Sequence, residues 1–132
     1  MTSENYNENE LVESARNAMS KAYAPYSGIR VGASLASATG RIFQGCNIEN
    51  SSYGLTICAE RVAIGCAIAS GEREFVAMAI MNSTDGIFTP CGACRQVMSE
   101  FAPDLKLILV SSDGKIERTD MAKIFPHPFR LG

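Results

Sequence analysis

The chain has no tryptophan, a single histidine (His127) and no excess of positive charge: 12 Lys and Arg stand against 14 Asp and Glu, a formal net charge of −2. Gripping a phosphate backbone takes clustered cations, and stacking along single strands takes many rings, whereas six Phe and four Tyr are all the aromatics here. Nucleic acid is therefore not expected as a partner. Long apolar runs are lacking too. The longest uncharged stretches, 62–71 and 75–84, run about ten residues, against the roughly 20 that span hydrocarbon. The opening MTSENYNENE has neither the basic nor the apolar part of a secretory leader. These absences exclude a membrane role and place the chain in the cytoplasm, with its cysteines reduced. Those cysteines (Cys46, Cys58, Cys66, Cys91, Cys94) are odd in number, which a disulfide framework does not favour. There is no repeat, low-complexity tract or linker, and 132 residues make one domain.

What is present is periodic. Residues 1 to about 8 are polar and read as loose. From Glu10 onward Leu11, Val12, Ala15, Ala18, Met19, Ala22 and Tyr23 recur at three- and four-residue steps, the apolar stripe of a helix that Pro25 ends. Strands are expected over 30–37 and 41–49, joined by a turn near Thr39-Gly40. The run 62–70 is apolar nearly all round, so a helix there needs cover on several sides, from a sheet and from another subunit. Gly71 stops it, and Cys46 and Cys66 read as small buried hydrophobes. A continuous apolar strand over 75–81, a helix over 92–101 and a second buried strand over 105–110 form a β-α-β unit, whose strands should be parallel. A polar strand over 115–119 and a turn of helix follow. The order α-β-β-α-β-α-β-β predicts an α/β fold, a three-layer α/β/α sandwich around a mixed five-stranded sheet.

Chemistry concentrates at two predicted helix starts, Cys58-Ala59-Glu60 and Pro90-Cys91-Gly92-Ala93-Cys94. A Cys-x-x-Cys pair brings two sulfurs to one zinc ion, and helix N-termini favour the thiolate form that binds it. With Cys58 as third ligand, one coordination position stays open, as in catalytic sites. Glu60, two positions beyond a ligand, is placed beside the ion as a proton acceptor for a metal-activated water. Three thiolates on Zn²⁺ sum to −1, a weak Lewis acid; the helix N-termini and the Arg61 cation are expected to withdraw that charge. Arg95 is a second candidate whose direction the sequence does not give. Two plainer readings stand beside this one. A thioredoxin-like redox pair leaves Cys58 and Glu60 unused. A closed structural zinc needs a fourth ligand: Cys66 lies about 12 Å up the same helix, whereas spacing leaves Cys46 and His127 open.

Zinc nucleobase deaminases use this layout, including a three-cysteine variant. Cys58-Ala59-Glu60-Arg61 with Pro90-Cys91-Gly92-Ala93-Cys94-Arg95-Gln96 resembles the short, homotetrameric zinc-dependent cytidine deaminases. So do Tyr23-Ala24-Pro25-Tyr26-Ser27, Val31-Gly32-Ala33, Gly45-Cys46-Asn47-Ile48-Glu49-Asn50 and Ser52-Tyr53-Gly54, a similarity running from about Leu11 to Phe129. The resemblance implies one Zn²⁺ per chain on Cys58, Cys91 and Cys94, with Glu60 as the catalytic proton shuttle and Arg61 moderating the thiolates. It implies that Asn47 and Glu49 hold the sugar hydroxyls and that the Ala59 N–H meets the pyrimidine. Phe129 would pack over the base from a neighbouring subunit. Without the resemblance, Asn47 and Glu49 read as a solvated strand end, Arg61 as a surface arginine and Phe129 as an apolar fastener of the tail. Where the family commonly has Phe, this chain has Ile29, which bears on sugar preference and tightness.

The function implied is hydrolytic deamination of cytidine, and of deoxycytidine, to the uridine nucleoside and ammonia, by zinc-bound hydroxide with Glu60 moving protons. The expected partners are a pyrimidine nucleoside and further copies of the chain in a homotetramer with sites near subunit interfaces. The rivals are a deaminase of a modified cytosine nucleoside such as blasticidin S, a nucleic-acid editing deaminase, and a zinc-binding module without activity.

Overall fold

A computed structural model of the chain describes residues 6–131; part of the expected loose amino terminus, 1–5, lies outside the described residues. The first helix, α1, spans Glu8–Met19. It starts ahead of its apolar stripe because Asn7 caps it, accepting the Glu10 N–H at 2.9 Å, and because Glu8 and Glu10 suit the positive end of the helix. It stops short of Tyr23, whose backbone pairs with Ile48 instead.

Strand β1 (Val31–Ser37) pairs antiparallel with β2 (Ile42–Cys46), Ala33 opposite Gly45. The second strand is shorter than the apolar pattern suggests: from Asn47 the chain leaves the ladder, and Ile48 bridges to Tyr23 on one side and Ile57 on the other. A 3₁₀ turn, Tyr53–Leu55, leads to α2 (Ala59–Ala69), and Gly71, at φ 96°, takes up the left-handed position past its end. Then follow β3 (Phe75–Asn82), α3 (Gly92–Phe101), β4 (Lys106–Val110), β5 (Ile116–Asp120) and the single turn α4 (Met121–Ile124). The sheet order is β2-β1-β3-β4-β5. Among the strands of the described residues only β3 and β4 pair in parallel, as the β-α-β reading requires, so this five-stranded sheet is mixed.

The alternation of each strand sorts its side chains to two faces. Ala36, Ala77, Ala79, Met81, Ile108 and Val110 meet Leu11, Val12 and Ala15 of α1. Ala33, Leu35, Met78, Ile80, Leu107 and Leu109 meet Ala63, Ile64, Ala67 and Met98 of α2 and α3. That is the three-layer α/β/α sandwich. Two glycines let helices reach the sheet. A Cβ on Gly32 would lie 2.1 Å from the Ala15 carbonyl oxygen, and one on Gly45 would lie 2.3 Å from that of Ala59. No side chain fits at either place.

One expectation is overturned. Cys66 is exposed and Cys46 half-buried, so neither is a core residue. The helix lays only one face (Ala59, Ala63, Ile64, Ala67) on the sheet, and Gly65, Cys66 and Ala69 point outward. With no polar stripe to mark the outer side, the sequence does not tell which cysteine faces in.

Candidate active site

The polar constellation sits where two helices begin. Cys58 is the N-cap of α2 and Cys91 the N-cap of α3, both with extended backbone, and Cys94 lies one turn into α3, its N–H donating to the Cys91 sulfur at 3.4 Å. The three sulfurs lie within 4.8 Å of one another. Two thiolates on one tetrahedral zinc at ~2.3 Å are ~3.8 Å apart. The Cys58 and Cys91 sulfurs are 3.8 Å apart, whereas a disulfide needs about 2.05 Å. The donors thus fit one zinc ion held by three sulfurs. Among the described residues no fourth metal-binding side chain joins this group. Cys46 donates to the Lys21 carbonyl at 3.6 Å, and Cys66 lies on the outer face of α2.

The electrostatics of the cluster suit a metal. The Cys58 thiol is lowered to about 5, first by a hydrogen bond from Cys94 and then by the Arg61 guanidinium, while Cys94, sharing that proton, is raised. Arg61 Nη2 donates to Cys58 Sγ at 3.6 Å, and its Nε is buried without a hydrogen-bond partner among the described residues. This is a cation turned onto sulfur, where sequence alone left a surface arginine as an alternative. Glu60 is only 6% exposed, in the first turn of α2. Burial raises its carboxyl to about 7 against the pull of its own backbone N–H; the Cys58 charge adds to the rise and Arg61 opposes it. A carboxyl at that value both takes and gives protons near neutral pH. Ala59, fully buried, is the first residue of α2, so its N–H has no carbonyl one turn back.

The neighbouring wall comes from the irregular chain after β2. Backbone bonds of 2.9 and 3.0 Å tie Ile48 to Ile57, the residue before Cys58, and so fix Asn47 and Glu49 relative to the cluster. Asn47 is buried, not a solvated strand end: its Oδ1 accepts from Val31 N and its Nδ2 donates to Ile29 O, both at 2.9 Å. Glu49 accepts from the N–H groups of Tyr26 and Ser27 at 2.9 and 3.1 Å and from the Ser27 hydroxyl, which holds its carboxyl below the usual range. Glu49, Tyr26, Ser27, Tyr53 and Thr56 line a cavity of about 380 Å³, within the range of small-molecule sites. A hollow of about 450 Å³ between Phe75, Phe101 and Pro103 holds none of this chemistry.

The sequence assigns no role to Tyr26 and Ser27, although the family-like segment contains them. Their partner lies more than 20 positions away, and only the chain reversal at Pro25 hints at it. Arg95 turns to main-chain carbonyls, donating to Pro90 O and Ile124 O, each at 2.7 Å, and to the Thr89 hydroxyl at 2.8 Å. Phe129 is 68% exposed and lines a shallow hollow together with Gln96 and Glu100 of α3, outside the cavity at Glu49.

Comparison with known proteins gives a consistent result. A family model described as the cytidine and deoxycytidylate deaminase zinc-binding region matches residues 5–110. The chain is 45% identical over 120 residues to a cytidine deaminase of Sporosarcina psychrophila, covering 90% of this chain and 88% of that protein. A crystal structure of cytidine deaminase from Burkholderia pseudomallei superposes with a TM-score of 0.90 at 46% identity, covering 93% of this chain and 99% of the other. A blasticidin-S deaminase of Bacillus cereus is also similar, at 30% identity over 89% of this chain and 88% of its own.

Proposed function

The chain belongs to the cytidine and deoxycytidylate deaminase zinc-binding family, and on that premise we propose that it hydrolyses cytidine, and deoxycytidine, to the uridine nucleoside and ammonia. The observation that carries this reading is three sulfurs converging at two helix N-termini beside the buried Glu60 carboxyl.

Cys58, Cys91 and Cys94 would hold one zinc ion per chain. When bound, the metal makes water acidic enough, near pKa 7, to attack at neutral pH. Glu60 does the proton work. It takes a proton from the attacking water and gives it to N3 of the pyrimidine as the C4–O bond forms. It then takes the remaining hydroxyl proton and passes it to the amino nitrogen as the C4–N bond breaks and ammonia leaves. Arg61 spreads the thiolate charge, and the Ala59 N–H orients the ring. Glu49, held by Tyr26 and Ser27, keeps lone pairs for the sugar hydroxyls, and Asn47 shares that edge. Phe129, with its ring exposed, covers the base in the site of a neighbouring protomer.

Residues 1–132 act, on this reading, as one zinc nucleoside deaminase domain in pyrimidine salvage, in the cytoplasm, where free cysteines persist. No helix of the described chain is long and apolar enough to cross a membrane. A homotetramer is favoured by the uncovered outer face of α2 and by exposed Tyr53 and Leu55 beside the cavity; a compact active monomer in a size measurement would refute it.

The deciding experiment measures zinc content and ammonia release from cytidine in the wild type and in Glu60→Gln. The variant should keep about one zinc per chain and lose roughly 10³-fold or more in turnover. Equal turnover would remove Glu60 from the reaction, and no turnover in either would leave a zinc-binding module. The Bacillus cereus relative keeps blasticidin S as a second substrate to compare with cytidine, and Ile29 is the residue that favours the comparison.

A further inference from the structure

The side chain of Gln96 is used in a way that neither the metal site nor the core requires. Its Nε2 donates to the Phe129 carbonyl oxygen at 2.9 Å, and its Oε1 accepts the Phe129 N–H at 3.2 Å. An amide that pairs with both main-chain groups of one residue fixes that residue as a β-bridge would, while leaving its side chain untouched. Two further bonds fasten the same tail to α3: Arg130 Nη2 donates to Ser99 O at 2.6 Å, and Arg95, next to Gln96, reaches Ile124 O. Past α4 the described tail has no regular structure of its own, yet the last residue of α4 and, beyond it, Phe129 and Arg130 are each fixed to α3, the helix that Cys91 caps and that holds Cys94. What this fastening presents is a bare aromatic ring, 68% exposed at the fixed end. Burying the ring would have been the ordinary use of a phenylalanine.

We propose that Gln96 is a positioning residue that holds the Phe129 main chain so that the Phe129 ring is presented to the nucleoside. This rests on the reading of Phe129 as the cover over the base. Glutamine is suited to the task and its neighbours in size are not. Gln96→Glu would keep the acceptor and lose the donor, Gln96→Met would keep the volume and lose both, and Gln96→Asn would fall one methylene short. The effect passes through Phe129, so it belongs to substrate binding and not to proton transfer.

Steady-state kinetics with cytidine on Gln96→Met, Phe129→Ala and the double variant test this, with zinc content measured on each. Phe129→Ala is expected to raise KM on the order of three- to tenfold, the value of one aromatic contact. Gln96→Met should raise KM comparably with kcat within about twofold and zinc still near one per chain, Gln96→Glu should fall between, and the double variant should be no worse than the more affected single one. If Phe129→Ala raises KM and Gln96→Met does not, or if the two effects multiply, Gln96 does not act through Phe129 and the proposal fails. Lost zinc in Gln96→Met would mean that the residue supports Cys94 instead, which also overturns it. An unchanged KM in Phe129→Ala removes the reading of Phe129 itself, and the function of Gln96 with it.

Discussion

Gly32 and Gly45 are one strand apart and face opposite ways. Gly32 lets α1 rest on one face of the β1-β2 ribbon, and Gly45 lets α2 rest on the other. The packing device is the same: backbone against backbone, with a missing Cβ as the space between. The consequences differ because of what the helices carry. Beneath Gly32 lies the middle and end of α1, Ala15 and Met19, a helix that holds none of the sulfur cluster. Beneath Gly45 lie Ala59 and Ala63, the turn that begins with Cys58 and holds Glu60. One face of the sheet is structure, and the other is structure that also sets a site. The largest expected effects break or sharpen this contrast. Gly32→Ala and Gly45→Ala should each cost about 4 kcal/mol, since the atoms met at 2.1 and 2.3 Å belong to backbone that cannot step aside. At a low temperature where both remain folded, only Gly45→Ala should lose zinc and turnover per folded chain. Equal loss in both would show that the two faces are not independent.

Glu60 gives the next effect, and it concerns the α2 face alone. Burial puts its carboxyl at about 7 instead of the ordinary 4.5, so in metal-stripped protein the protonated form is the one that folding favours. Its contribution is complete below about pH 4.5 and is lost as pH rises through about 7, an effect of roughly 3 kcal/mol. Cys58, lowered to about 5, works in the opposite sense and stabilises as pH rises above that value. Comparison with Glu60→Gln separates the two, because both proteins keep Cys58. With chelator present, the stability of the wild type relative to Glu60→Gln should fall between about pH 4.5 and 7 and level off above. A flat difference would mean that the carboxyl is not desolvated.

The elements on both faces were legible in the sequence because periodicity reports burial: the five strands and three long helices are all present, although α1 and β2 end before their apolar patterns do. The zinc trio was legible for a different reason. Cys-x-x-Cys and a cysteine two residues before a glutamate are local patterns, and the ligands lie at helix starts that the sequence also marks. What was not legible depends on pairs distant along the chain. The hold of Tyr26 and Ser27 on Glu49, the turn of Arg95 onto carbonyls and the grip of Gln96 on Phe129 each join residues whose partner carries no signature. The outward face of Cys66 failed for want of contrast: beyond Arg61 the helix has no polar residue to mark its outer side, and periodicity has nothing to read there.

The smallest effect belongs to the α1 face. Arg118 on β5 makes two bonds to the Glu8 carboxylate, at 2.8 and 2.7 Å, where α1 begins. It stands opposite Ile108, which points to α1, so the pair fastens the helix to the outer strand on the face that carries no chemistry. The guanidinium is largely in water, where screening and side-chain entropy cancel most of the attraction. Arg118→Ala should lower the melting temperature by no more than about two degrees, with less of a drop in high salt, where the pair is already screened. Zinc content, kcat and KM should stay at wild-type values, because the sheet separates α1 from the helices that hold the site. A change in KM on cutting this tie would show that α1 passes strain across the sheet to α2, and that Gly32 and Gly45 act on one common structure.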